Sequence, residues 1–343
     1  MSKHVLISAS VLAMTLSSAA HARDYISVVG SSTVFPFATV VAERFGKSDF
    51  NTPKIESTGS GGGMKLFCSG IGVETPDITN SSRRMKASEF EMCKENGVTD
   101  VVEVLIGYDG IAFSNSVDAE QLDVDLKDIF LALAKQVPNP DGSNSLVDNP
   151  YKLWSEVNAS LPSIGIEVIG PPPTSGTRDA FVELAMEGGC EAFDFVKSLE
   201  KGQFKEVCHT MREDGMYVEA GENDNLIVQK LQANPDALGI FGYSFLEQND
   251  DLVQSSMVGG VEAEFEAIAE GDYPISRPLY FYVKKQHVGT VPGIQEYLAE
   301  FTEEDTWGED GYLADKGMIP LGDDLREEIG AAITNLEILT AIE

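Results

Sequence analysis

Short apolar runs alternate with helical patterns along most of this chain, and this alternation limits the folds that it can adopt. Residues 25–30 (YISVVG) and 166–170 (IEVIG) have the length of buried strands, whereas residues 34–46 and 175–189 have helical periodicity. Short strands separated by helices favour a layered α/β structure, because a crossover connection is needed to join neighbouring parallel strands. We therefore expect α/β layers with mainly parallel sheets.

Two longer apolar runs interrupt this pattern, at residues 102–116 and 278–285. We interpret each run as a strand that crosses from one domain to another. The predicted fold is α/β, with two α/β domains joined by two crossing strands and a ligand cleft between them. The first domain is then discontinuous, residues 23–108 plus 278–343, and residues 109–277 form the second.

The first 22 residues have the parts of a secretory signal peptide. Lys3 lies in a short charged segment, residues 5–16 are apolar, and Ala20-His21-Ala22 is a typical cleavage site. We expect this segment, residues 1–22, to be removed and the mature protein to lie in the periplasm of a Gram-negative bacterium. The remaining 343 − 22 = 321 residues are enough for two hydrophobic cores and contain no apolar run long enough to span a membrane.

The chain is strongly acidic, with a formal net charge of −32 at pH 7. Such a charge repels nucleic acids and anionic membrane surfaces, so we exclude both as partners. A small anionic ligand meets the same repulsion at long range, although salt screens it beyond about 10 Å at ~0.1 M. An anion site in this protein must therefore rely on short-range hydrogen bonds and local dipoles.

Four cysteines remain after removal of the signal segment, and an exported protein with an even number of cysteines is expected to form disulfides. Three pairings are possible, and four buried free thiols are the alternative. Proximity in the sequence favours Cys68–Cys93 and Cys190–Cys208.

Four stretches share one pattern, in which a strand end is followed by small polar residues and then by a helix start. A helix start carries unpaired N–H groups and partial positive charge, so several of them around one cleft would form an anion site. For any single stretch, the alternative is ordinary capping of a helix; in residues 174–181 the N-cap would be Ser175. The four stretches are residues 30–37 (GSSTVFPF), 58–63 (TGSGGG), 174–181 (TSGTRDAF) and 221–231 (GENDNLIVQKL).

Signatures of enzymes are weak in this sequence. The GKS at residues 46–48 has Val41 where a P-loop needs glycine, and the GYSFL at residues 242–246 lacks the last glycine of a nucleophile elbow. Only His209 and His287 follow the signal segment, and we interpret both as surface or capping residues. We predict no catalytic residue, no metal site and no cofactor.

Five motifs resemble those of the phosphate-binding proteins of bacterial phosphate ABC transporters (PstS-like, type II periplasmic binding proteins). They are GSSTVFPF, STGSGGGMK, DITNSSR, SGTRDAF and ENDN…QANPDALGIFGY, in the family's order and over nearly the whole mature chain. The resemblance implies a two-domain protein that closes on inorganic phosphate without catalysis. It also implies a partner, the transmembrane permease of the transporter. We expect a monomer.

The same resemblance places the ligand mainly against small residues at helix starts. The phosphate-binding residues that it implies are Ser32, Thr33, Val34, Ser60, Gly61, Ser175, Gly176 and Thr177. We add Ser82 and Arg83, at the end of the third motif, as predicted phosphate-binding residues. Further candidates are Arg178, Asn223 and Asp224.

The chain departs from the family pattern at two positions. Ser82 stands where the family has an aspartate, and Pro171 stands where it has an arginine. We expect Arg83, or else Arg178, to supply the missing positive charge.

A carboxylate in the site would decide which anion is selected, because it can accept the proton that hydrogen phosphate carries and sulfate lacks. Asp224 is the candidate acceptor, with Asp109 and Asp179 as alternatives. Without such an acceptor the protein would be a receptor for sulfate or another tetrahedral oxyanion. The remaining alternatives are an exported phosphatase that uses the same anion cradle and a surface or matrix protein.

Overall fold

The structure is a computed structural model that describes residues 23–221 and 224–342. The predicted signal segment, residues 1–22, and the candidate ligand residue Asn223 lie outside these residues. In the described ranges, every helix is too short or too polar to cross a lipid bilayer.

Strands and helices alternate through the described residues, as the apolar pattern predicts. The strands are β1 (Ser27–Gly30), β2 (Lys54–Ser57), β3 (Ile78–Ser81), β4 (Val101–Ser116), β5 (Asp123–Val124), β6 (Gln136–Pro138), β7 (Leu146–Asp148), β8 (Val168–Gly170), β9 (Tyr217–Glu219), β10 (Leu238–Gly242), β11 (Val253–Ser255), β12 (Met257–Val258) and β13 (Ser276–Lys284). The α-helices are α1 (Phe35–Phe45), α2 (Ser60–Phe67), α3 (Ala87–Glu95), α4 (Leu126–Leu133), α5 (Trp154–Val157), α6 (Gly176–Phe181), α7 (Glu187–Cys190), α8 (Asp194–Lys197), α9 (Lys201–His209), α10 (Asp224–Ala233), α11 (Tyr243–Glu247), α12 (Phe265–Glu270), α13 (Ile294–Phe301), α14 (Glu304–Trp307) and α15 (Asp323–Thr334). A π-helical turn, Val182–Met186, joins α6 to α7, and short 3-10 turns lie at Lys285–His287 and Ala314–Lys316.

Within the described residues, nine strands form one sheet in the order β2-β1-β3-β13-β4-β10-β8-β9, with β11 paired to β4. At one side β2, β1 and β3 are parallel, and at the other side β10, β8 and β9 are parallel. The two long strands β13 and β4 lie between these groups and run antiparallel to their neighbours. The predicted two-domain α/β fold is confirmed, but its sheet is mixed because the crossing strands pair antiparallel.

The crossing strands contain one irregularity in their pairing. Leu279 lies opposite Gly107 and the next residue of β13, Tyr280, lies opposite Leu105, so the register moves by one residue. Gly107 has φ +152°, and a Cβ at this position would lie 2.6 Å from the carbonyl oxygen of Ile319. A side chain is therefore excluded at this β-bulge both by the backbone conformation and by the close approach of the neighbouring segment.

Two helices begin at glycine-containing stretches noted in the sequence, residues 58–63 and 242–246. Helix α2 begins at Ser60, so the glycine run that follows lies inside its first turn rather than in a loop. A Cβ on Gly63 would lie 2.5 Å from the Cα of Gly30, so this glycine allows α2 to pack closely against β1. Strand β10 ends at Gly242 and α11 begins at Tyr243, so most of the GYSFL stretch is helical.

Both predicted disulfides are confirmed. Cys68 at the end of α2 is bonded to Cys93 in α3, and Cys190 at the end of α7 is bonded to Cys208 in α9. Each bond therefore joins two helices that are close in the sequence. All four cysteines are fully buried.

A buried ion cluster surrounds Asp77, the residue that precedes β3. Its carboxylate accepts hydrogen bonds from Arg23 Nη2 at 2.7 Å and from the Ser27 backbone N–H at 2.7 Å, and it lies 2.6 Å from His287 Nδ1. His287 Nε2 lies 3.1 Å from the carbonyl oxygen of Ile71. The interpretation of His287 as a surface or capping residue is wrong, because its ring is 1% exposed and both its nitrogens have hydrogen-bonding partners.

Candidate functional site

The turn between β1 and α1 brings hydroxyl groups to the end of the first strand. The Ser31 hydroxyl accepts hydrogen bonds from the N–H groups of Thr33 at 3.2 Å and Val34 at 3.3 Å, and it thereby shapes the turn. Thr33 is buried, Ser32 is exposed, and the Val34 side chain packs in the hydrophobic core. Of these residues, Thr33 faces the cavity described below.

The stretch after β8 places a second helix start near this turn. Ser175 is the N-cap of α6, and its own N–H donates to the carbonyl of Pro172 at 3.0 Å. The helix continues from Gly176 through the π-helical turn to Cys190. A Cβ on Gly176 would meet nothing within 4 Å, so the backbone at this helix start is open to a ligand.

A cavity of about 410 Å³ lies between these two helix starts. Its lining includes the predicted ligand residues Thr33, Gly176, Thr177 and Asp224, together with Asp109 of β4. The sequence pattern therefore identified residues that the fold brings to one cavity, although they come from separate parts of the chain.

Arg277, in β13, is the buried cation beside this cavity. Its Nη2 donates to the Thr33 hydroxyl at 2.5 Å, and its Nε donates to Asp109 Oδ2 at 3.2 Å, so it contacts two lining residues. Its Nη1 donates to Glu183 Oε2 at 2.7 Å. Arg277 is only 7% exposed, and Asp109 lies directly opposite it on β4. An always-charged, forked donor is thus fixed behind the wall of the cavity.

Two carboxyl groups near Arg277 have raised pKa values. Burial raises the pKa of Asp109 above its ordinary value; the charge of Arg277 opposes this shift and the charge of Glu183 adds to it. Burial also raises the pKa of Asp179, again with a contribution from Glu183. Of the two carboxyl groups with raised pKa values, Asp109 lines the cavity and contacts Arg277, which lies behind the lining.

The second and third predicted motifs meet each other near the start of α2. The hydroxyls of Ser60 and Ser82 lie 3.2 Å apart, and the Ser82 N–H donates to the Ser60 hydroxyl at 3.1 Å. Gly61 follows Ser60 in the first turn of α2 and is exposed. Within the described chain, these three residues lie outside the lining of the cavity.

The two arginines predicted to supply the positive charge have other partners. Arg83 forms a two-pronged ion pair with Glu89, at 2.7 and 2.9 Å. Arg178 stacks over the ring of Tyr217, 4.5 Å from its centre, and donates to the carbonyl of Pro171 at 3.2 Å. Neither belongs to the cavity lining formed by the described residues.

A sequence profile of the PBP superfamily domain matches residues 17–305 of this chain. The chain belongs to the PBP superfamily. Among its relatives, the phosphate-binding protein PstS of Staphylococcus saprophyticus is 29% identical over 286 residues, which cover 80% of this chain and 75% of the relative. Protein SphX of Synechococcus elongatus is 28% identical over 275 residues, which cover 77% of this chain and 69% of the relative.

Solved structures of PBP-like architecture also match this PBP-superfamily protein. A possible phosphate binding protein from Planctomyces limnophilus superimposes with a TM-score of 0.72 at 26% identity, covering 91% of this chain and 98% of that one. An ABC-type phosphate transport receptor from Vibrio cholerae gives a TM-score of 0.56 at 16% identity, covering 87% of this chain and 100% of that one. The second match, at its low identity, concerns the fold alone.

Sequence reasoning missed Arg277 as a site residue in this PBP-superfamily protein. A signal was present, because Arg277 directly precedes one predicted crossing strand, Asp109 lies within the other, and the two residues carry opposite charges. Opposite charges in facing positions of paired strands attract each other, so the two strands could have been aligned on this pair. Glu183 was also missed, because its place in a charged helix gives no sign of its contact with Arg277.

Proposed function

We propose that this protein binds inorganic phosphate in the cavity beside Arg277 and delivers it to the permease of an ABC-type importer. One observation carries the proposal: Thr33, the open helix start at Gly176 and Thr177, and Asp109 line one cavity, and Arg277 bonds two of these lining residues. Hydroxyls, helix N–H groups and a guanidinium are the donors that bind tetrahedral oxyanions. The relatives named for phosphate binding support the same ligand.

Arg277 is the charge partner that we assign to the ligand in place of Arg83 or Arg178. The hydroxyls of Thr33 and Thr177 and the N–H groups at the start of α6 complete the donor set. Each hydrogen bond to a charged group contributes about 1.5–3 kcal/mol, and a micromolar dissociation constant corresponds to ~8 kcal/mol. A handful of such bonds is enough for tight binding despite the acidity of the chain.

Asp109 is the residue that we assign to selectivity, in preference to Asp224. It lies in the cavity lining, and Arg277 holds it in place. An ionised Asp109 accepts the hydrogen of a phosphate P–OH group but repels fully ionised sulfate, so phosphate is favoured. With Asp109 in this role, the site discriminates between the two anions although Ser82 stands where the family has an aspartate.

We further propose that the protein is exported, that it consists of two domains and that it binds its ligand without catalysis. The segment 1–22 directs the protein to the periplasm, and the domains are residues 23–108 plus 278–343 and residues 109–277. With these boundaries Asp109 and Arg277 are the first and last residues of the second domain and lie opposite each other on β4 and β13. Thr33 belongs to the first domain, so an anion bound between Thr33 and Asp109 would contact both domains. We propose binding without turnover, by a monomer.

The test of this proposal is isothermal titration of the mature protein with inorganic phosphate, with sulfate and arsenate as competitors. We expect phosphate binding that excess sulfate does not displace. A chromogenic phosphate ester, tested with and without Zn²⁺ or Mg²⁺, should not be hydrolysed. Hydrolysis would favour the phosphatase, and equal binding of phosphate and sulfate would favour a general oxyanion receptor.

Two variants test which arginine serves the ligand. Arg277→Gln should weaken phosphate binding at least about 30-fold, because removing one partner of a buried charged contact costs roughly 2–5 kcal/mol. The guanidinium of Arg83 is bonded to Glu89 in wild type, so Arg83→Gln should bind phosphate within about threefold of wild type. If instead Arg83→Gln bound phosphate more weakly and Arg277→Gln bound it as wild type does, Arg83 would be the charge partner, as expected from the sequence.

A further inference from the structure

The three acceptors around Arg277 differ in how firmly they are held. Asp109 faces Arg277 across two paired strands and its side chain is 15% exposed, and Thr33 is buried in the turn before α1. Glu183 is different, because its side chain is 52% exposed although it bonds Arg277 Nη1 at 2.7 Å. One of the three acceptors is therefore free to move into solvent while the other two stay in place.

The mobility of Glu183 matters for ligand binding because several carboxyl groups already surround Arg277. Asp109, Asp179 and Glu183 surround one guanidinium, and the charge of Glu183 acts on both of the other carboxyl groups. A phosphate that arrives here meets a cation whose charge is already compensated by carboxylates. Its binding is favourable only if one carboxylate leaves Arg277 or loses its charge.

We propose that Glu183 holds the ligand's position on Arg277 when the site is empty, and that an incoming oxyanion displaces it. This inference rests on the proposed function. The carboxylate and a phosphate oxygen need the same Nη1 donor, and a guanidinium binds either group in the same way. The displaced side chain moves outward from the π-helical turn that follows α6, and Asp109 and Thr33 keep Arg277 oriented throughout.

The position of Glu183 on its helix gives this exchange a structural basis. The same continuous helix begins with Gly176 and Thr177, which line the cavity, and carries Glu183 about two turns later. Ligand donors and the internal competitor are therefore connected through one rigid element. Glu183 thus lowers phosphate affinity and, in the empty protein, compensates the charge of a buried arginine.

Glu183→Gln tests the inference, with Glu187→Gln as the matched control. Both variants remove one negative charge from the same helix, but Glu187 pairs with His209 rather than with Arg277. Titrated with inorganic phosphate at fixed pH and ionic strength, Glu183→Gln should bind about fivefold more tightly than wild type or better. Glu187→Gln should stay within about twofold of wild type.

A third variant separates the contact from the charge. Glu183→Asp keeps the charge but shortens the side chain, so its carboxylate no longer reaches Nη1 and phosphate binding should again tighten. Unchanged or weaker phosphate binding by Glu183→Gln would overturn the inference, as would equal tightening by Glu187→Gln. If wild type itself bound no phosphate, the proposed function would fail, and the inference with it.

Discussion

Arg277 and Asp77 are both buried charges, and each lies at the centre of a small polar cluster, but their surroundings differ. Asp77 is 0% exposed, and its side-chain partners Arg23 and His287 are at most 16% exposed. Arg277 lies beside a cavity of about 410 Å³, and its partner Glu183 is 52% exposed. A charge enclosed by buried partners stabilises one conformation, whereas a charge with a removable partner beside a cavity is available to a ligand.

The largest expected effect is on the enclosed cluster. Asp77→Asn should lower the free energy of unfolding by about 3–5 kcal/mol, because it leaves the Arg23 guanidinium and the buried His287 ring without their carboxylate. Urea unfolding of the variant measures this loss, and the exposed Asp251→Asn serves as control. Phosphate affinity of the folded variant should be unchanged, and a loss of stability below about 1 kcal/mol would contradict the structural role.

A smaller effect is expected from Lys284, which is buried near Asp77 and donates to the carbonyl of Gly70 and the hydroxyl of Thr75, both at 2.6 Å. Burial lowers the pKa of Lys284 to about 8, from an ordinary value of 10.5. The unfolded chain therefore binds more protons between these values, and folding stability rises with pH in this window.

The measurement is urea unfolding at pH 7.5, 9 and 10.5, compared between wild type and Lys284→Met. Relative to the variant, wild type should gain stability on the order of 2 kcal/mol across this range. A difference that stays constant with pH would show that the Lys284 pKa is not lowered in the folded protein.

The smallest expected effect concerns selectivity at the Arg277 cluster. Above its raised pKa, Asp109 is ionised and accepts the phosphate hydrogen; below that pKa it carries a proton and donates to any oxyanion. Discrimination against sulfate should therefore decrease as the pH falls through this pKa. Asp109→Asn should let sulfate compete at least about tenfold better at neutral pH, without this pH dependence.

Competition titrations of phosphate against sulfate at several pH values check the role of Asp109. The exposed Asp118→Asn, just beyond the same strand, is the control for a change of charge. If sulfate competed equally with wild type and with Asp109→Asn, the proton acceptor would have to be another residue, with Asp224 the next to test.

Much of the fold could be predicted from local pattern. The alternation of strands and helices, the two long crossing strands and both disulfides depend on residues that are close in the sequence. The strand-end pattern also identified Thr33, Gly176 and Thr177, because parallel strands present their carboxyl ends at one edge of a sheet.

The centre of the site could not be predicted in this way, because it depends on contacts between distant residues. Arg277 and Asp109 are 168 positions apart, and their pairing depends on the register of two strands. Arg83 has the composition of an anion-site residue, but the local salt bridge to Glu89 satisfies it. Local sequence specifies where helices begin, whereas strand register and side-chain pairing decide which arginine contacts the residues that line the cavity.

The β-bulge at Gly107 has a consequence for how this protein diverges during evolution. Continued without a bulge from Tyr280 opposite Leu105, the two strands would place Tyr108 opposite Arg277; the extra residue brings Asp109 there instead. The pairing of Asp109 with Arg277 thus depends on β4 having one residue more than β13 at the bulge. Lineages can exchange most residues of these strands and keep the pair, provided that they inherit that one-residue difference.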